Sequence, residues 1–92
     1  MAFTQLIHPD AIKMAIRQIK RWIFAAKQDR HPGIAFLHAS YAVGDLDMLR
    51  QVVSDNIVIN VSGINPFELH REATRIQDKA QNRMERVCPK LK

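Results

Sequence analysis

Residues 33–53 read GIAFLHASYAVGDLDMLRQVV, and this stretch decides the fold. From Ile34 to Val43 no residue is formally charged unless His38 takes a proton. A helix without a charged face is buried on most of its sides. Ala35, Ala39 and Ala42 leave room for another helix to come close. Gly44 suits the left-handed residue that ends a helix, and Asp45 suits the cap of the next one. The spacing therefore predicts a helix over 33–43 and a further helix over 46–53, with Leu46, Leu49, Val52 and Val53 turned inward. Together they form a short apolar helical hairpin.

Outward from this centre lie two longer amphipathic patterns. On the N-terminal side, Ile12, Ile16, Ile19, Ile23 and Ala26 recur at steps of three and four residues. Pro9 and Asp10 suit the first turn of that helix, because proline lacks a hydrogen that would be unpaired there and the carboxylate faces the positive end of the dipole. The helix ends near 28–30, since Pro32 disfavours helical geometry at His31. Trp22 and Phe24, two apart, do not centre one narrow apolar face, so Trp22 is assigned to the core. On the C-terminal side, Asn65 caps, Pro66 takes the first helical position and Glu68 completes a variant capping box. Leu69, Ala73, Ile76, Ala80, Met84 and Val87 then form a stripe up to Pro89. Such a helix is about 33 Å long, against a radius of gyration near ~12 Å for a compact chain of this length, so its end projects. Residues 54–63 are ambiguous. Ile57, Ile59 and Val61 alternate as in a strand, whereas Ser54 or Asp55 as cap and Gly63 as terminator mark a short helix. The helix is preferred, because a lone strand has no partner in a helical chain.

The expected fold is thus all-α, a single domain over 1–92. Four to five helices form a small bundle, two long outer ones around the apolar hairpin. A short flexible N-terminus (about 1–8) and a basic tail (about 88–92) are expected at the ends. The 92 residues, 47% apolar and 25% charged, suit one folded domain and exclude a disordered or collagen-like chain. Cys88 is the one cysteine, so no intramolecular disulfide forms, and a reducing compartment, most simply the cytoplasm, is expected. No signal-peptide pattern and no transmembrane stretch are present. The run Leu37-His38-Ala39, with Gly44, Leu49 and Val52-Val53 after it, resembles part of an ankyrin repeat over roughly a fifth of the chain. It lacks the Thr-Pro before the leucine and has no neighbouring repeat to stack on. It is therefore taken as two short helices joined at a glycine.

Fourteen basic residues against nine acidic give a net charge of +5. The excess is uneven: six basic against two acidic over 1–30, one against three over 31–63, and seven against four over 64–92. Lys13, Arg17, Lys20 and Arg21 on the first long helix, with Lys27 beyond, and Arg71, Arg75, Lys79 and Arg83 on the last form two cationic ridges. Like charges in a row repel, so helix stability does not explain them. Phosphates of a nucleic-acid backbone would. The commoner meaning of such a pattern is a solvated face, because Glu68, Glu72, Asp78 and Glu85 interleave with the second ridge. A helix-turn-helix placed over 58–72 fails, with Ile59 where a small residue is needed and Glu72 on a core position.

Little in the chain points to catalysis. His8, His31, His38 and His70 offer no pair at four-residue spacing, so no metal site and no cofactor are expected. His38, Ser40 and Tyr41 are the polar members of the most apolar helix, and the commoner role of such groups is a satisfied place in the core. The expected function is that of a non-enzymatic helical module for assembly or protein partner binding that self-associates as a homo-oligomer. The alternative is a nucleic-acid-associated protein that grips phosphates through its basic faces.

Overall fold

The computed structural model describes residues 7–87. Four helices run in the order α1 (Pro9–Gln28), α2 (Pro32–Val52), α3 (Asp55–Ser62) and α4 (Pro66–Val87), with no strand among the described residues. The stretch 54–63 is thus helical. Ser54 Oγ accepts from the Ile57 amide, and Gly63 closes the helix in the left-handed region at φ 76°. Of the expected terminal arms, 1–6 and 88–92 lie outside the described residues. Ile7 packs against the core and His8 caps α1.

Both α1 and α2 begin with His-Pro. His8 Nδ1 accepts from the Asp10 amide and His31 Nδ1 from the Gly33 amide, each at 3.0 Å, while the proline fills the next position. The imidazole thereby does what Ser or Asp usually does, satisfying one orphan N–H of the first turn. Asn65 Oδ1 caps α4 by accepting from the Phe67 amide at 2.9 Å.

The apolar hairpin expected at 33–53 is absent. α2 is a single helix of 21 residues that passes through Gly44. The reason lies in its buried side. Ala35, Ala39, Ala42, Leu46 and Leu49, with Val53 just beyond the helix, recur at three- and four-residue steps, and Gly44 does not shift their phase. Glycine within a helix costs about 0.5–1 kcal/mol. Burying Leu46 alone, which is 0% exposed, returns about 1.5–3 kcal/mol. One continuous helix also rules out the two-helix reading of the ankyrin-like segment.

α2 lies between α1 and α4 and packs on both, whereas α1 and α4 touch each other only lightly. α3 rests on α1 near the other end of the bundle and closes the core with Val58. The interior is wholly apolar. Ile12, Ile16, Ile19, Ile23 and Ala26 of α1 face the α2 row, with Leu69, Ala73 and Ala80 of α4, and no polar side chain is buried among the described residues. The domain measures 48 × 23 × 17 Å with a radius of gyration of 14.8 Å, an elongated shape set by the helix lengths. Val87, at the last turn of α4, is 75% exposed and leaves the core stripe it was expected to join. No helix among the described residues is long and apolar enough to cross a membrane.

Candidate functional site

Because α1 and α4 flank α2 without closing on each other, a furrow runs along α1 on one side of the domain, against α3 at one end and against α4 over the rest. It consists of three clefts that share residues. The first, about 290 Å³, lies where α3 meets α1 and includes Lys13, Arg17 and Lys20. The second, about 190 Å³, includes Lys20, Phe24, Lys27 and Glu72. The third, about 440 Å³, includes Lys27, Arg75, Lys79 and Arg83 above a floor of Ala26, Ala35, Ile76 and Ala80. Lys20 joins the first to the second and Lys27 the second to the third. Six of the eight cations singled out from sequence line this furrow. Arg21 and Arg71 do not: Arg21 is exposed elsewhere on α1, and Arg71 pairs with Glu68 at 3.5 Å and lies over the Phe67 ring. The row on α1 is Lys13, Arg17, Lys20, Phe24 and Lys27, at steps of four and three residues. That is the spacing of one helical face, and it leaves Arg21 off the row.

The ion pairs separate the two readings of the second ridge. Glu68 does pair along α4, with Arg71. Glu72 instead reaches across to Lys27 on α1 and does not engage Arg75. Among the described residues, Lys13, Arg17, Lys20, Arg75 and Lys79 have no carboxylate within salt-bridge distance. Arg83 Nη2 donates to the Arg30 carbonyl at 2.7 Å, tying α4 to the turn between α1 and α2.

His38, Ser40 and Tyr41 do not form one site. His38 and Tyr41 face α1, where Trp22 stacks on the imidazole at 5.4 Å and meets the Tyr41 ring edge-on at 5.0 Å. His38 Nδ1 donates to the Asp29 carboxylate at 2.6 Å. Ser40 faces α4, where its hydroxyl donates to the Phe36 carbonyl and accepts from Gln77 Nε2 at 3.0 Å. Trp22 is half-buried in this seam and packs against the edge of the core. A second cross-helix pair joins His70 Nε2 to the Asp47 carboxylate at 2.9 Å. Asp29–His38 thus fastens α1 to α2, and Asp47–His70 fastens α2 to α4. No cluster of three or more metal-ligating side chains occurs among the described residues. Sequence reasoning missed both pairs, which join residues 9 and 23 positions apart and carry no local signal.

On the side of α2 away from its buried row lies a second feature. Ile34, Leu37, Tyr41, Gly44 and Met48 follow one another at steps of three and four residues and line the solvent side. The four side chains are 42%, 42%, 42% and 63% exposed. A Cβ added at Gly44 would meet nothing within 4 Å. A helix ending at Gly44 splits this stripe, so it emerges only from the continuity of α2. No protein-family model, no curated protein and no solved structure matches the chain.

Proposed function

We propose that the protein is a non-enzymatic assembly module that pairs with a second copy of itself through the open face of α2. The observation that carries this reading is the exposed stripe Ile34–Leu37–Tyr41–Gly44–Met48. Its alternating three- and four-residue steps are those of a helix seam that seats a partner helix. Gly44 lies within that seam and lets two backbones come close. Monomeric domains rarely leave such a contiguous apolar strip in water.

A second copy fits the charges as well. Asp45 and Asp47 flank the stripe. A parallel pair of α2 helices would bring all four of these carboxylates together. An antiparallel pair centred on Tyr41 separates them, sets Asp45 of one copy near His38 of the other, and opposes the two helix dipoles. Twofold pairing of one self-complementary patch is also the commonest route to a closed oligomer. The His–Asp pairs hold helices together in this reading and perform no chemistry. A protein with one cysteine and no disulfide suits the cytoplasm.

Analytical ultracentrifugation from about 1 to 100 μM tests the pairing. A concentration-dependent dimer is expected. Leu37→Glu gives a monomer of unchanged helix content, because Leu37 contributes little to the core. A wild-type chain that stays monomeric at the top of this range overturns the reading.

A further inference from the structure

We propose that the furrow along α1 binds a single nucleic-acid strand, with phosphates on its cationic rims and a base on the ring of Phe24. This site lies on the opposite side of α2 from the proposed pairing face and stands independently of it.

Three observations carry the inference. The first is charge without a structural use. Lys13 and Arg17, Arg75 and Lys79, and Lys79 and Arg83 are each four residues apart, a spacing at which like charges destabilise a helix by a few tenths of a kcal/mol. Of the neighbouring carboxylates, Glu68 pairs with Arg71, Glu72 with Lys27 and Asp10 with His8, and Asp78 comes within salt-bridge distance of neither Arg75 nor Lys79. Glu72 is the one acidic residue lining the three clefts, and Lys27 neutralises it.

The second is shape. The cations form one rim along α1 over the first two clefts and two facing rims at the third, where Lys27 stands opposite Arg75, Lys79 and Arg83 above an apolar floor, so an entering chain follows positive charge along α1 and is flanked by it at that end. From Lys13 to Lys27 the α1 rim runs about 21 Å, enough for several phosphates. A duplex is too broad to enter and would touch the rims alone. A lipid surface calls for a convex apolar face with cations around it, the reverse of a concave one with cations at its edges.

The third is Phe24. It is 61% exposed, on the same helical row as the cations, between Lys20 and Lys27. Most of this large aromatic side chain stays in water, so the fold gains little from it. Beside a cationic groove it offers a flat platform, and base stacking on aromatic rings is how single strands are held without sequence preference.

Fluorescence anisotropy of the full chain with labelled dT12, a matched 12-bp duplex, and phosphatidylserine vesicles as competitor tests the site. For about five neutralised phosphates, the slope of log K against log salt is about −3.5 for a single strand, an affinity loss of about 100-fold between 50 and 200 mM salt. Arg17→Gln with Lys20→Gln lowers the slope by about 1.4 units. Phe24→Ala weakens dT12 binding about tenfold and leaves the slope unchanged. Arg21→Gln, on the same helix but off the row, changes neither. The Leu37→Glu monomer binds as the wild type does, so a failed pairing reading and a failed strand site are told apart. Absence of dT12 binding at 50 mM salt overturns the proposal. So does equal loss from Arg21→Gln and Arg17→Gln, tighter binding of duplex or vesicles than of dT12, or indifference to Phe24→Ala.

Discussion

The two open faces of this domain follow the same spacing with opposite chemistry. Along α1, Lys13, Arg17, Lys20, Phe24 and Lys27 step by four and three residues beside a furrow. Along α2, Ile34, Leu37, Tyr41, Gly44 and Met48 step by three and four on the other side. Each helix also carries a third kind of row, the buried one, that folds the chain: Ile12 to Ala26 in α1 and Ala35 to Leu49 in α2. Most side chains that make the bundle are therefore distinct from those that face outward; Tyr41, edge-on to Trp22, and Lys27, paired with Glu72, serve both. The outward rows cost the monomer something, through repulsion on one face and exposed apolar area on the other. What the monomer does not need, a partner must explain, and the two chemistries call for two different partners.

The largest effect separates the buried row of α2 from its open row. Leu46→Ala, at a position 0% exposed, is expected to cost about 2–5 kcal/mol of stability. Leu37→Ala, on the same helix at 42% exposure, is expected to cost under ~1 kcal/mol while weakening self-association. Urea unfolding of both variants at low micromolar concentration gives the comparison. Similar losses would mean that α2 is not divided into two faces in this way.

A smaller effect is expected at the seam between the faces. His38→Ala removes the hydrogen bond to Asp29 and the stack on Trp22, and about 1–2 kcal/mol of stability should go with them. Trp22 is the sole tryptophan, so its emission reports the change directly. Strand binding measured well below the melting temperature should persist, since His38 lies outside the furrow. Loss of binding from this substitution would instead join His38 to the furrow and blur the two faces.

Much of the fold was legible from local chemistry. The outer helices announce themselves through Pro9 and Asp10, Asn65 and Pro66, and clean apolar rows, and the structure keeps those boundaries within a residue or so. The misreading at Gly44 came from weighing one residue's local preference above the phase of the row around it. Ala42 to Leu46 is a four-residue step across the glycine, and burial along that row outweighs the propensity cost. The furrow was half legible. Two cationic ridges could be read, but which cations share a cleft depends on how α4 lies against α1. Arg71 falls outside for that reason, whereas Arg21 lies off the α1 row by spacing alone. The pairing of Glu72 with Lys27 in preference to Arg75 is likewise a tertiary fact.

Gly44→Ala gives the smallest shift and the most diagnostic sign. In the monomer the new methyl group meets nothing within 4 Å, and alanine in place of glycine within a helix is worth about 0.5–1 kcal/mol. The dilute chain should therefore melt about 2–8 °C higher. In a paired state the same methyl group stands between two closely approaching backbones, so self-association should weaken as the monomer gains stability. Two opposite signs from one methyl group are hard to obtain unless α2 is a continuous helix and Gly44 lies within the contact. Thermal melts at low concentration and sedimentation at high concentration read the two signs separately. A variant that gains in both places Gly44 outside the interface and moves the seam toward one end of the stripe. A variant that loses in both means that the glycine serves the helix itself, and the open face then needs an explanation other than a second copy.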